Sequence, residues 1–354
     1  MADPGRADPA GLGPDAEGEP LVSLAEIRSA AERIAGHALR TPLVRSPWPG
    51  LWLKPESLQP IGAFKIRGAV NAVAALDPAR RSAGILAHSS GNHAQAVAYA
   101  ARAFGIDAHI VIPTTAPNRK IAGTRALGAT VELVEVAERF RRPAELAEQT
   151  GKAMIPPYDD RFVIAGQGTV GLEIAEQAPE ALAAFGPDGG PVVLAAVLVP
   201  VSGGGLIAGV AAALHALAPS VAVIGVEPGL AGDAAESFRA GERRAWPAER
   251  SAATMADGLR TPSTGVLPWR HIQAYVHDII TVAEAEIADA TRRLLLDARV
   301  VAEPSGAVTT AAFLHHRDRL PAGPVVAVVS GGNIDPAVLR AVLDAAPLDL
   351  PGPR

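Results

Sequence analysis

Four short stretches bring together residue types that could do chemistry. Lys65 stands among Gly62, Ala63, Phe64 and Gly68. A lone lysine is ordinarily a solvated surface charge, but one kept among small and aromatic neighbours loses pKa and becomes a usable amine. Ser89-Ser90-Gly91-Asn92-His93 places short polar side chains between a strand and a helix. Such residues commonly do no more than cap the helix, while the amides and dipole there can also attract an anion. Ser202-Gly203-Gly204-Gly205-Leu206 follows an apolar strand, and consecutive glycines let backbone N–H groups turn onto a phosphate. Ser330-Gly331-Gly332-Asn333 follows another apolar strand, either as a plain turn or as a turn that brings a hydroxyl to a crevice. Gly203-x-Gly205-x-x-Ala208 with Glu227 further on also fits a dinucleotide fingerprint, so a nicotinamide-dependent dehydrogenase is a rival. That rival leaves Lys65 and Asn92 idle. An aldehyde cofactor bearing a phosphate and a pyridine ring uses all four stretches, because it needs an amine, a phosphate cradle and polar partners for its ring.

The elements that must hold these residues are legible as alternating strands and helices. Helical spacing runs from Leu24 to Leu39, where Thr41-Pro42 stops it. A strand, Leu51 to Lys54, leads through the Lys65 region into a helix ending near Leu76. Strands are expected at Ile85 to His88, His109 to Ile112 and Thr130 to Val134. Helices are expected at Asn92 to Phe104 and Pro117 to Leu127, each ended by a glycine. A second alternation gives a helix to about Ala184, the strand Val192 to Val199, a helix to Leu217 and the strand Val221 to Val226. It continues with a helix opened by a capping box at Thr281-x-x-Glu284 and the strand Val325 to Val329. Such alternation implies parallel sheets with right-handed crossovers.

Composition narrows the function further. The 354 residues carry 49% hydrophobic and 19% charged side chains, enough for a folded core. The formal charge of -5, without a long basic block, argues against nucleic acid as a partner. Cysteine is absent, which removes thiolate nucleophiles, disulfides and cysteine-held metals. No HExxH helix marks a zinc hydrolase, His315-His316 point apart on a helix, and no G-x-S-x-G elbow marks an acyl-transfer serine. Arg139, Arg141 and Arg142 form a basic cluster that is ordinarily a solvated face. Without a signal peptide or a membrane-length apolar run, a cytoplasmic protein with no membrane partner is expected.

The motifs "GAFKIRGA", "HSSGNHAQA", "AGQGT", "SGGGLIAG", "ADG", "EPSGA" and "SGGN" resemble those of the β-family, or fold-type II, pyridoxal-phosphate enzymes. Within it they are similar to the serine/threonine dehydratase and serine racemase group, from about Ile34 to Ala341. The resemblance implies two open twisted α/β domains, tryptophan synthase β-like, with the cofactor in the interdomain cleft. The expected boundaries are a disordered tail at 1–20, a large domain at 21–77 and 153–345, a small mobile domain at 78–152 and a tail at 346–354. It implies Lys65 as the Schiff-base lysine, Phe64 beside the cofactor and Asn92 on the ring hydroxyl. Gly203, Gly204, Gly205 and Leu206 would hold the phosphate, and Ser330 would meet the pyridine nitrogen. Ser90 would stand on the face opposite the lysine, and the Ser89, Ser90, Gly91, Asn92, His93 loop would receive the substrate carboxylate.

The implied reaction is dehydration and deamination of L-threonine or L-serine to a 2-oxo acid and ammonia, with serine racemase or 3-hydroxyaspartate dehydratase as the alternative activity. Pro156 and Arg161 depart from the dehydratase pattern, where His and Pro are common. At this length, the regulatory domain of biosynthetic threonine dehydratases and its feedback control are not expected. A homodimer is expected. Glu227 and Asp233 flank a Pro-Gly turn, which on spacing alone reads as two solvated acids. The racemase branch is similar in having Glu, a carbonyl and Asp at the places of Glu227, Ala231 and Asp233, implying a site for Mg2+, Mn2+ or Ca2+.

Overall fold

The structure is a computed structural model that describes residues 18–89, 91–116, 118–139, 141–183 and 193–350. Most of the expected tails therefore lies outside the described residues. In chain order the elements are α1 (Leu24–Ile34), β1 (Val44–Arg45), β2 (Leu51–Pro55), α2 (Lys65–Ala75), α3 (Pro78–Ser82), β3 (Ile85–His88), α4 (Asn92–Phe104), β4 (Ala108–Pro113), α5 (Asn118–Ala126), β5 (Thr130–Val134), α6 (Arg141–Thr150) and β6 (Ala153–Met154). The second half contains α7 (Arg161–Ala183), β7 (Ala196–Pro200), α8 (Gly205–Leu217), β8 (Ala222–Pro228), α9 (Asp233–Ala240), α10 (Ala248–Ser251), α11 (Val266–Tyr275), β9 (Asp278–Val282), α12 (Glu284–Leu296), α13 (Pro304–His315), β10 (Val325–Val329) and α14 (Pro336–Asp344).

These strands form two sheets, ordered β1-β2-β10-β7-β8-β9 and β5-β4-β3-β6. Every described pairing is parallel except β1 with β2. Parallel strands need both faces covered, and β2, β7 and β10 are buried at every position. On one face of the larger sheet lie Leu294, Val308 and Phe313 of α12 and α13; on the other lie Ile207, Val210 and Ile272 of α8 and α11. The smaller sheet shares its core with α2 and α4 through Val70, Val73, Val97 and Ala101.

Four local expectations are corrected. α1 ends at Ile34, because Ala35 turns extended and Gly36 adopts φ 80°. β7 begins at Ala196, with Val193 two-thirds exposed and Val192 outside the described residues. β8 runs on through Pro228, so Glu227 is a strand residue paired across from Thr281. α12 opens at Ala283, whose N–H donates to Glu286, while Glu284 accepts from the Thr254 hydroxyl and the Met255 amide.

Candidate active site

In open α/β sheets ligands bind beyond the carboxyl ends of the strands. The segments after β2, β10 and β7 leave from adjacent strands of the larger sheet, and the one after β3 leaves from the smaller sheet. They carry Lys65, Ser330, the glycine run and Asn92 respectively; sheet topology brings the first three together, and the hydrogen bonds of Asn92 to Glu303 and Asn333 join the fourth to them. The Phe64 amide donates to the Ser330 carbonyl at 3.0 Å, and Ala63 bridges Gly331. This zips the lysine turn to the last glycine turn.

Lys65 opens α2, and its Nζ donates to the Pro157 carbonyl at 2.5 Å. The amine end is enclosed, and desolvation pulls its pKa down to about 8. Nζ also lies 5.2 Å from the centre of the Phe64 ring. The helix bearing Lys65 is anchored two residues on by Arg67, which is fully buried. Its guanidinium bonds Glu56 at 2.7 and 2.8 Å and Glu173 of α7 at 2.6 and 3.0 Å. Lys54, also fully buried, donates to Glu173 at 2.6 Å. Burial is the strongest single influence on the Glu56 carboxyl and works to raise it, but the Arg67 charge and hydrogen bonds, the Lys54 charge and the Thr41 hydroxyl together hold that group below its ordinary range.

The glycine run leads straight into α8, whose leading amides have no carbonyl within the helix. Gly204 has φ 87°, and a Cβ on Gly203 would stand 2.2 Å from Tyr158 Cδ1. Glycine is therefore required for Tyr158 to pack this closely on the run. Tyr158, covering Gly203, and Asp159, which caps α11 through the amides of Val266 and Leu267, carried no functional signal in the sequence.

The loop after β3 departs from simple capping. The N-cap of α4 is Gly91, with no side-chain bond. Asn92 turns its side chain away to Glu303 and Asn333 instead. The Gly91 amide donates to Ser89 Oγ at 3.2 Å, and Ser90 lies outside the described residues. His93 is buried with Nε2 2.8 Å from the Ile155 carbonyl. Desolvation, reinforced by the Lys65 charge, lowers it to about 3, so the ring is a neutral anchor for the loop. Ser330 is buried, with Oγ 3.5 Å from the Ser305 carbonyl, at the outer limit of a hydrogen bond. Asn333 and Glu303 reach the same cleft, although sequence motifs gave them no role.

Glu227 and Asp233 are not solvated acids. Both are buried; Glu227 accepts the amides of Ala234 at 3.4 Å and Ala235 at 2.8 Å, and neither Asp233 oxygen has a hydrogen-bond partner. Burial raises both above the ordinary carboxylate range, with the Asp233 charge adding to the rise at Glu227 and the Glu236 charge to the rise at Asp233. Glu227 is thus turned to the start of α9 and is not placed as the ribose-binding acid of a nicotinamide site. Arg141 and Arg142 pair with Glu138, Glu145 and Glu132 on their own unit. His315 and His316 face Asp289 and Glu286 at 3.2 and 3.0 Å. No cluster of three or more His, Cys, Asp or Glu able to hold a metal occurs among the described residues, and none of their helices is long and apolar enough to cross a membrane.

A family model for pyridoxal-phosphate dependent enzymes matches residues 34–331. The chain belongs to this family. It is 40% identical to an L-threonine ammonia-lyase of Thermotoga maritima over 334 residues, covering 92% of this chain and 79% of the relative. A crystal structure of a T.th. threonine deaminase superposes with a TM-score of 0.82 at 43% identity, covering 88% of this chain and 99% of that one. A maize serine racemase structure gives a TM-score of 0.83 at 38% identity, covering 91% and 97%. The pyridoxal-phosphate enzyme is therefore of fold type II, the group of threonine and serine dehydratases and serine racemases. Its own residues fit the cofactor: an enclosed amine at Lys65, and a glycine run without bulky side chains leading into the uncapped start of α8.

Proposed function

We propose that this enzyme eliminates water from L-threonine or L-serine to leave an enamine, which takes a water molecule back on hydrolysis to a 2-oxo acid and ammonia. The observation that carries the reading is the enclosed Lys65 amine, brought down to about 8, in one cleft with the glycine cradle, Asn92 and Ser330. Pyridoxal phosphate, when bound, supplies an aldehyde for amine capture and a ring that draws electrons from the substrate α-carbon. Lys65 Nζ holds that cofactor and, once released from it, takes the α-proton. The amides of the glycine run and the first turn of α8, from Gly203 to Leu206, receive the phosphate. Ser330 offers the pyridine nitrogen a neutral partner, and the Ser89–His93 loop at the start of α4 receives the substrate carboxylate.

Addition of pyridoxal phosphate should give the purified wild type a visible absorption band and release of ammonia from L-threonine or L-serine. Lys65→Ala should lose both. A variant that kept the band and wild-type turnover would overturn the reading, and turnover of 3-hydroxyaspartate alone would reassign the substrate. The similarity to maize serine racemase favours a second reading, in which Ser90 serves the opposite face of the α-carbon. Ser90→Ala should then abolish D-serine formation and retain part of the dehydratase activity, as read by chiral chromatography.

We also propose that Glu227, Asp233 and the Ala231 carbonyl bind Mg2+, Mn2+ or Ca2+. Two buried carboxyls, one with unpartnered oxygens, supply the hard donors such ions take. This position is a structural one, away from the proton transfer. The expected homodimer and cytoplasmic setting, and residues 78–152 as the mobile domain, belong to the same reading.

A further inference from the structure

Asn333 and Glu303 have no part in the chemistry above, yet both touch Asn92. The polarity of these contacts is set from one end. The Ile61 carbonyl can only accept, so Asn333 must turn its NH2 group to it, at 2.8 Å. The same NH2 group donates to Asn92 Oδ1, also at 2.8 Å. The oxygen end of Asn92 is thereby held, and its nitrogen end faces Glu303 Oε1 at 2.6 Å. One N–H of Asn92 remains after that bond.

The surrounding turns hold these side chains closely. Gly62 has φ 73°, and a Cβ there would stand 2.5 Å from Asn333 Oδ1. A Cβ on Gly331 would stand 2.4 Å from Glu303 Oε1 and 3.2 Å from Asn92 Nδ2. The relay thus joins residues from the "IGAFK", "SGNH", "EPSGA" and "SGGN" stretches, and two of their glycines exist to make room for it.

We propose that Asn333 and Glu303 are positioning residues: together they fix which end of the Asn92 amide faces the cleft, so that its remaining N–H meets the ring oxygen of pyridoxal phosphate. This rests on the assignment of Asn92 as the ring-oxygen partner. An amide free to flip would present its oxygen to another oxygen for part of the time. Glu303 suits the task because a carboxyl accepts from Asn92 whether or not it is protonated, and burial with the nearby Asp257 charge raises it to about 7. Lys120 is the cation that opposes that shift.

The test titrates cofactor-free protein with pyridoxal phosphate, reading the dissociation constant from the visible band, and separately records the melting temperature of the cofactor-free protein. Asn333→Asp replaces the donor by an oxygen of the same size and should weaken cofactor binding by about tenfold or more. Glu303→Gln can still accept from Asn92 and should weaken it by less than about threefold. The double variant, Asn333→Asp with Glu303→Gln, reverses both contacts and favours the flipped amide. It should recover melting temperature relative to Asn333→Asp alone while binding the cofactor no better.

Recovery of affinity along with stability would show a merely structural role and overturn the proposal, as would an Asn333→Asp affinity within about twofold of wild type. If Asn333→Asp does not fold, Asn333→Ala decides by the same titration: weakening by about fivefold or more supports the relay, and a smaller change overturns it. Failure of the underlying reading looks different. Asn92→Ala would then leave the affinity unchanged, or the wild type would show no visible band.

Discussion

At the scale of single residues, the decisive quantity is the proton on Lys65. Desolvation lowers its folded pKa to about 8 from the ordinary value of 10.5, so folding without cofactor is disfavoured wherever the amine must stay charged. The sign follows from linkage. Between pH 8 and 10.5 the unfolded chain binds more protons than the folded one, and stability rises with pH in that window. Lys65→Met should therefore stabilise the cofactor-free protein below pH 8, and the advantage should shrink towards pH 10.5; chemical denaturation across that range checks it. An advantage independent of pH would show that the amine is not desolvated. Ser330 makes a second prediction. A neutral partner leaves the pyridine nitrogen a weaker electron sink than an Asp would, which suits elimination, where the leaving hydroxyl carries off the electrons. Ser330→Asp should lower the dehydration rate, and a faster mutant in a coupled 2-oxo acid assay would refute the argument.

At the scale of elements, the lysine is positioned by a clamp between α2 and α7. Arg67 and Lys54 meet Glu56 and Glu173 with all four side chains buried or nearly so. Removing one partner leaves an opposite charge buried, so Glu173→Ala should cost about 3–5 kcal/mol in urea unfolding. A loss below about 1 kcal/mol would mean that water enters and the pair behaves as a surface bridge. Packing of α7 on α8 has the same closeness: a Cβ on Gly209 would stand 2.3 Å from the Ile164 carbonyl oxygen and 2.5 Å from the Gly168 amide nitrogen. Strand and helix periods made the elements that lead into the cleft legible in the sequence, because buried parallel strands and glycine-ended helices leave local signals, whereas elements such as α3, α6, β6, α11 and β9 were not read. The ends of elements were less so. The extra residues of β8 are held by pairing with β9, which brings Glu227 into the sheet, and Glu284 is drawn from the expected cap by the Thr254–Met255 loop. Such long-range bonds have no period to read. The cleft residues Lys65, Asn92, Gly203 and Ser330 were visible through their turn chemistry, whereas Glu303 and Asn333 act through partners more than 200 residues away.

At the scale of the whole molecule, the two sheets meet through side chains that cross the cleft. Asn92 spans to Glu303 and Asn333, Lys120 of α5 pairs with Asp257, and Arg119 donates to the Ile334 carbonyl at 3.1 Å. The carboxyl end of β8 carries a different demand. Glu227 and Asp233 are buried together, and the unpartnered Asp233 oxygens forgo the hydrogen bonds that water would supply. A bound divalent cation would replace those bonds and cancel the repulsion between the two carboxylates. A cation that binds only the folded chain stabilises it by mass action, by about 2.7 kcal/mol at a concentration 100 times its dissociation constant. Millimolar Mg2+, Mn2+ or Ca2+ should accordingly raise the melting temperature of chelator-treated protein. Asp233→Ala should remove that response without lowering stability in the presence of chelator, because it deletes a buried group that has no partner there. Equal responses of wild type and Asp233→Ala to each cation would show that the ions act elsewhere, and a wild type indifferent to all three would leave the pair as buried acids held neutral by their surroundings.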